Sequence, residues 1–99
     1  MKAIINGRRY NTETAELVAE ADGEAGSMRR WNERLYRTVK GAWFIEGRGG
    51  AMSDWAERCG DMWGPGAAIR PITDNEARAW LEREREYDAL EGRFIIQDA

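Results

Sequence analysis

Apolar and polar residues alternate most regularly between Arg29 and Ser53. On the incoming side Trp31, Glu33, Leu35 and Arg37 alternate with Arg30, Asn32, Arg34, Tyr36 and Thr38. On the outgoing side Ala42, Phe44 and Glu46 alternate with Trp43 and Ile45. A period of two, bounded by turn chemistry at Val39-Lys40-Gly41, predicts a half-buried antiparallel pair. Gly47-Arg48-Gly49-Gly50 ends that pair, and its glycines serve positive-φ backbone or close chain approach.

Before this hairpin, Lys2 to Ile5 reads as a strand. Asn6-Gly7 supplies the two positive-φ residues of a type I′ turn, and Arg8-Arg9-Tyr10 returns as an edge. From Glu13 to about Asp22 the pattern fits a short helix capped by Asn11 or Thr12. Leu17, Val18 and Ala21 share one face, and both Leu17 and Val18 must dock for so short a helix to hold. Residues 22–28 read as a loop.

After the hairpin, Ser53 can N-cap a short helix from Asp54 to Cys59, stopped by Gly60. Residues 60–66 then form a loop. Ala68 to Ile72 is a candidate strand, and Pro71 points to a sheet edge or an irregular strand end. Thr73 and Glu76 form a capping box that starts a helix running to about Tyr87, with Ala77, Trp80, Leu81 and Tyr87 on its buried face and Glu84 among them. Gly92 breaks it, and Arg93 to Gln97 reads as a last strand. The order predicts an α+β fold in a single domain spanning residues 1–99. In it a small, mostly antiparallel β-sheet packs against one main C-terminal helix, with one or two shorter helices.

Composition narrows the chemistry. Five Trp, three Tyr and two Phe in 99 residues make an aromatic-heavy core. No apolar run approaches the roughly 18–20 residues of a membrane span, and the N-terminus has no apolar segment of the signal-peptide kind. There is no histidine, which removes the commonest general base, the commonest metal ligand and any Ser-His or Cys-His pair. Cys59 is the only cysteine. It reads as a small, partly buried side chain at a helix end rather than a reactive thiol beside Arg58, and with no disulfide possible it suits a reducing cytosol. Neither a phosphate loop nor a dinucleotide fingerprint is present. Carboxylates are plentiful, but even Asp54 and Asp61, which flank aromatics, lack a context that marks a pocket. No enzyme activity, small-molecule substrate, metal or cofactor is expected.

Charge is segregated. Residues 1–10 carry +3, residues 11–28 carry −5, residues 29–48 carry +4 and residues 49–99 carry −5. Two functional readings follow. Arginines and the aromatics Trp31, Tyr36, Trp43 and Phe44 of hairpin 29–48 could hold nucleic acid by pairing and stacking. Against it, the chain is net acidic and has no RNP-type motif. Alternatively, Glu13, Glu16, Glu20 and Glu24, with neighbouring Asp22, and the cluster Glu82, Glu86, Asp88 and Glu91 could imitate phosphates in a basic groove. A merely solvated acidic surface is the plain alternative to both.

Three stretches, YNTETAELV at 10–18, LYRTVKGAWFIEGRGGAMS at 35–53 and IRPITDNEARAWLE at 69–82, together resemble a family of small proteins encoded by phages and mobile elements of bacteria. Some of these resemble anti-CRISPR proteins, in particular inhibitors of type I-C systems. The similarity covers most of the chain, and its motifs are mainly turn, cap and core residues. The chain departs from the pattern at Arg48, where an acid is frequent. The resemblance implies stoichiometric inhibition without chemistry in the bacterial cytoplasm. The partner would be a protein subunit of a crRNA-guided surveillance complex whose target-DNA binding is blocked, and the partner-binding residues would be Glu13, Glu16, Glu20, Asp22, Glu24, Glu82, Glu86 and Asp88. Direct nucleic-acid contact is not part of that reading. The alternative is a small nucleic-acid-binding or regulatory protein of a mobile element using hairpin 29–48.

Overall fold

The computed structural model describes residues 1–23, 26 and 28–99. Its centre is a four-stranded antiparallel sheet built from β3 (Glu16–Gly23), β4 (Trp31–Arg37), β5 (Trp43–Gly49) and β8 (Gly66–Ile72), in the order β3-β4-β5-β8. Strands β1 (Lys2–Ile5) and β2 (Arg8–Asn11) form a separate hairpin, as do β6 (Glu57–Cys59) and β7 (Met62–Gly64). Two helices close the chain, α1 (Asp74–Arg83) and α2 (Tyr87–Arg93). The α+β class and the mainly antiparallel pairing agree with the sequence pattern. Among the described residues, no helix is long and apolar enough to cross a membrane.

Strand alternation gives the sheet two faces. Ala19, Ala21, Leu35, Trp43 and Ile45 point to one face and pack with Trp55, Ala77, Trp80, Leu81 and Leu90, so both helices lie on this side. Tyr36, Phe44 and Ile69 point the other way and pack with Tyr10 of β2, flanked by Ala3, Ile5 and Ala15. Phe44 is the hub of this second cluster, stacked on Tyr36 with ring centroids 5.1 Å apart and edge-on to Tyr10 at 5.6 Å. The N-terminal hairpin therefore covers only the Tyr36–Phe44 end of that face. The opposite end stays open.

The Asn6-Gly7 turn has the expected geometry, with φ of 52° and 74°. The central hairpin closes around Gly41, φ 91°, with the Thr38 hydroxyl accepting from the Ala42 amide at 3.0 Å. β5 runs past the expected end at Glu46. Gly47 continues the strand because the Trp55 ring lies directly against it, in the space a Cβ would fill. β8 is an edge strand, as Pro71 requires.

Four expected elements form differently. Residues 13–22 are not a helix. Glu13 lies in a turn whose amide donates to Asn11 Oδ1 at 3.0 Å, and Glu16 onward is strand β3. Pairing with β4 overrides the helix preference of Glu and Ala, and a register shift between Leu17 and Ala19 breaks the alternation that would have marked a strand. Leu17, expected to dock, is largely exposed. The helix expected at 54–59 is absent. Ser53 Oγ accepts from the Trp55 amide within a turn, and Glu57–Cys59 pairs with Met62–Gly64 across Gly60-Asp61. Cys59 is consequently exposed on a strand, not tucked at a helix end.

The C-terminal helix is two helices. The capping box forms as expected, with Glu76 N–H donating to Thr73 Oγ1 at 3.2 Å and Thr73 N–H donating to Glu76 Oε1 at 3.0 Å. Helix α1 stops at Arg83. Arg85 takes φ 56°, and the Glu86 and Arg85 amides donate back to the Leu81 and Glu82 carbonyls at 2.9 and 3.2 Å. This is a Schellman motif with arginine where glycine is usual. Tyr87 falls beyond the break and is exposed, whereas Ala77, Trp80 and Leu81 are buried as expected. Gly92 lies inside α2. No strand forms over 93–97: Phe94 stacks on Trp43 at 5.6 Å, and Ile95 and Ile96 are exposed.

Candidate functional site

The acids expected to share one helical stripe are dispersed by strand geometry. Glu16 points to the helix face and meets Arg93 Nη2 at 2.9 Å. Glu20 points to the opposite face and meets Arg34 Nε at 2.8 Å. Its carboxylate holds the Arg34 guanidinium charged above its ordinary range. Asp22 shares the open face with Glu20, and Glu13 sits in the turn before β3. Glu24 lies outside the described residues. Half of the first acidic set visible here is thus compensated by arginines of the same chain.

The second set stays together. Glu82 is exposed on α1, Glu86 caps the start of α2 through its backbone, and Asp88 is exposed in the first turn of α2. Glu13, Asp22, Glu82, Glu86 and Asp88 make no ion pair with a described residue. The Arg93–Glu16 bridge holds the end of α2 at the start of β3, and Ala89 and Leu90 join the same core as Ala19 and Ala21.

Hairpin 29–48 does not present its aromatics as a stacking platform. Tyr36, Trp43 and Phe44 are buried, and Trp31 packs against the helix-side core. Three of its cations are also engaged within the chain. Arg34 pairs with Glu20, Arg37 lies over the Trp43 ring at 5.3 Å, and Arg48 Nη2 reaches the buried Glu46 carboxylate at 3.4 Å.

Two features of the site region carry no motif. Glu33 accepts two indole hydrogen bonds, from Trp55 Nε1 to Oε2 at 2.9 Å and from Trp80 Nε1 to Oε1 at 2.8 Å. It ties sheet, loop and α1 together. Its inward position in β4 was visible in the alternation, but the two donors come from segments whose approach only the fold defines. The second feature is a cleft of about 720 Å³ at the open end of the sheet, lined in part by Asp22, Arg30, Asn32, Arg48, Glu57 and Ala67. Among the described residues, no group of three or more His, Cys, Asp and Glu is placed to hold a metal ion.

No protein-family model matches the chain, and no curated protein or solved structure is significantly similar to it.

Proposed function

We propose that the chain is a stoichiometric protein inhibitor of the anti-CRISPR kind that its motifs resemble. It occupies a basic, DNA-holding surface of a type I surveillance complex in the bacterial cytoplasm, without chemistry of its own. The observation that carries this reading is the meeting of α2 with the start of β3. Arg93 at the end of α2 bridges to Glu16 at the start of β3, so the helix pair that carries Glu82, Glu86 and Asp88 is tied to the segment that carries Glu13 and Glu16. Carboxylates fixed on packed elements substitute for phosphates without a large ordering cost. Glu82, Glu86 and Asp88 make no ion pair among the described residues, so they contribute more than Glu16 and Glu20, whose charge is already compensated.

The test is binding of the purified protein to a type I-C surveillance complex, followed by target-DNA binding at two salt concentrations. The proposal expects salt-sensitive binding that excludes DNA. Reversal of Glu82 and Asp88 to Lys should abolish it, and reversal of Glu20 should not. Absence of binding, or binding indifferent to both salt and the double reversal, overturns the proposal.

A further inference from the structure

We propose that the cleft at the open end of the sheet is a second binding site, one that receives an extended peptide segment of a protein partner bearing one basic and one acidic side chain. The site is built by register. Asp22 pairs with Asn32, Asn32 with Arg48 and Arg48 with Ala67, so these four residues form one row across β3, β4, β5 and β8 on the face away from the helices. In the next row, Glu20, Arg34, Glu46 and Ile69, Glu20 pairs with Arg34, and Glu46 reaches back to Arg48 of the first row. Beyond that the N-terminal hairpin covers the face. The Asp22 row is therefore the last on this face of the sheet and borders the cleft directly.

Charge selects the occupant. Asp22 and Arg48 stand two strands apart, about 10 Å between Cα atoms, with the Asn32 amide between them. A purely anionic strand such as nucleic acid would meet Asp22 and Glu57, and a purely cationic one would meet Arg30 and Arg48. A segment carrying both signs satisfies both ends. Asp22 has no ion pair with a described residue, and the Arg48 side chain is 57% exposed and reaches Glu46 through one Nη2 contact at 3.4 Å, so its other guanidinium N–H groups can meet a second carboxylate while that contact stays. The volume of about 720 Å³ and the open mouth suit several residues of chain rather than one small solute. The exposed Met28 and Met52, joined by the Met52 N–H to Met28 carbonyl bond, lie on the loops beside Arg30 and Gly50 and offer adaptable apolar contact to such a segment.

The test is a titration of isotope-labelled protein, followed by amide chemical shifts. Its probe is the blocked pentapeptide acetyl-Gly-Lys-Gly-Glu-Gly-amide, and its control has Gln at both charged positions. The expected result is saturable shifts at Asp22, Asn32, Arg48 and Gly49, with the control weaker by about fivefold for each charge lost. D22N should remove the preference for Lys, and R48Q the preference for Glu. Both changes are at exposed side chains, and retention of the remaining amide spectrum verifies the fold. Equal binding of the neutral control, no saturable shift, or preferential occupation of the same row by an oligothymidylate overturns the proposal. R48Q changes none of the acids invoked for surveillance-complex binding and should leave that binding unchanged, while reversal of Glu82 and Asp88 should leave the peptide titration unchanged, so the two readings fail separately.

Discussion

Removing the Glu33 carboxylate is the most informative single perturbation of the fold. Its two oxygens accept from the indoles of Trp55 and Trp80, which are 4% and 3% exposed. Hydrogen bonds to a charged group contribute about 1.5–3 kcal/mol each, and a buried donor left without an acceptor loses its solvation outright. Two such bonds give about 3–6 kcal/mol for Glu33→Ala. The cavity of about 270 Å³ beside Glu33, lined also by Trp31, Asp54, Trp55 and Arg83, can admit water to one indole, which favours the lower half of that range. We expect a loss of about 3–4 kcal/mol, against a total of about 5–15 kcal/mol for a domain of ordinary stability. The loss corresponds to a fall in Tm of about 12–30 °C for a chain of this length.

Glu33→Gln should cost about half as much, because the amide keeps one acceptor and turns an N–H toward the other indole. Trp80→Phe in the Gln background removes that facing donor, so the double variant should be less unstable than the sum of the two single changes by about 1 kcal/mol. Urea unfolding followed by far-UV circular dichroism reads all four proteins independently of tryptophan emission. A Glu33→Ala protein within about 1 kcal/mol of wild type would refute the clamp, as would strict additivity in the cycle.

Three further outcomes follow. Gly47→Ala places a methyl group where the Trp55 ring lies, and Trp55 is pinned by Glu33 and by Arg70 over its ring at 4.2 Å. It should therefore cost about 2–3 kcal/mol or more in urea unfolding, while Gly92→Ala, with open space around it, should cost nothing or stabilise α2. Arg85→Gly should stabilise by about 0.5–1 kcal/mol, because it relieves a left-handed residue at φ 56° in the α1–α2 break; a destabilised variant would show that the arginine side chain holds the corner. Hydrogen bonds from the Thr73 backbone and hydroxyl hold the Glu76 carboxyl below its ordinary range. Its contribution is thus present above the ordinary carboxylate pKa and lost as pH falls through the depressed folded value. Glu76→Gln should flatten the acid limb of a Tm-versus-pH profile and leave the region above pH 7 parallel to wild type.

What the sequence made legible was local and explicit. Asn6-Gly7, Gly41, Pro71 and the Thr73–Glu76 box each carry their geometry in residue chemistry, and each sits where expected. What it hid was set by tertiary contact. Ala19 and Ala21 face the helices and Glu20 and Asp22 face away, a strand pattern, but the register shift at Val18 leaves Leu17 and Ala21 at helical spacing. The α1–α2 break carries Arg85 instead of glycine and so has no breaker in the sequence. The β6–β7 hairpin did have a signal, a two-residue Gly60-Asp61 turn between short extended runs, which the Ser53 cap motif outweighed. For the acids proposed as a partner surface, the sequence showed where they fall along the chain but not which of them share a face, because that depends on which period the backbone follows.

That difference changes what the acids of β3 can do. On a helix, Glu13, Glu16, Glu20 and Glu24 would have formed one stripe available to one partner. On a strand, Glu16 turns to the helices and Glu20 and Asp22 to the open sheet face, so no single flat surface touches all of them. β3 is also an outer strand of the sheet, and acids along such an edge discourage a second chain from adding to its unpaired amides. The charge of this segment therefore shields that edge, and the acids without an ion pair among the described residues are the ones left for the proposed partners. These fall on two sides of the sheet. Glu82, Glu86 and Asp88 lie with the helices, and Asp22 lies with Asn32 and Arg48 in the cleft. On the proposed reading, a partner that presents only cations would be drawn to the first surface, and the second, with an arginine two strands from its acid, would take a partner of mixed charge. One small domain thus offers two faces of different electrostatic character, joined by a core in which Glu33 fixes the helix to the sheet.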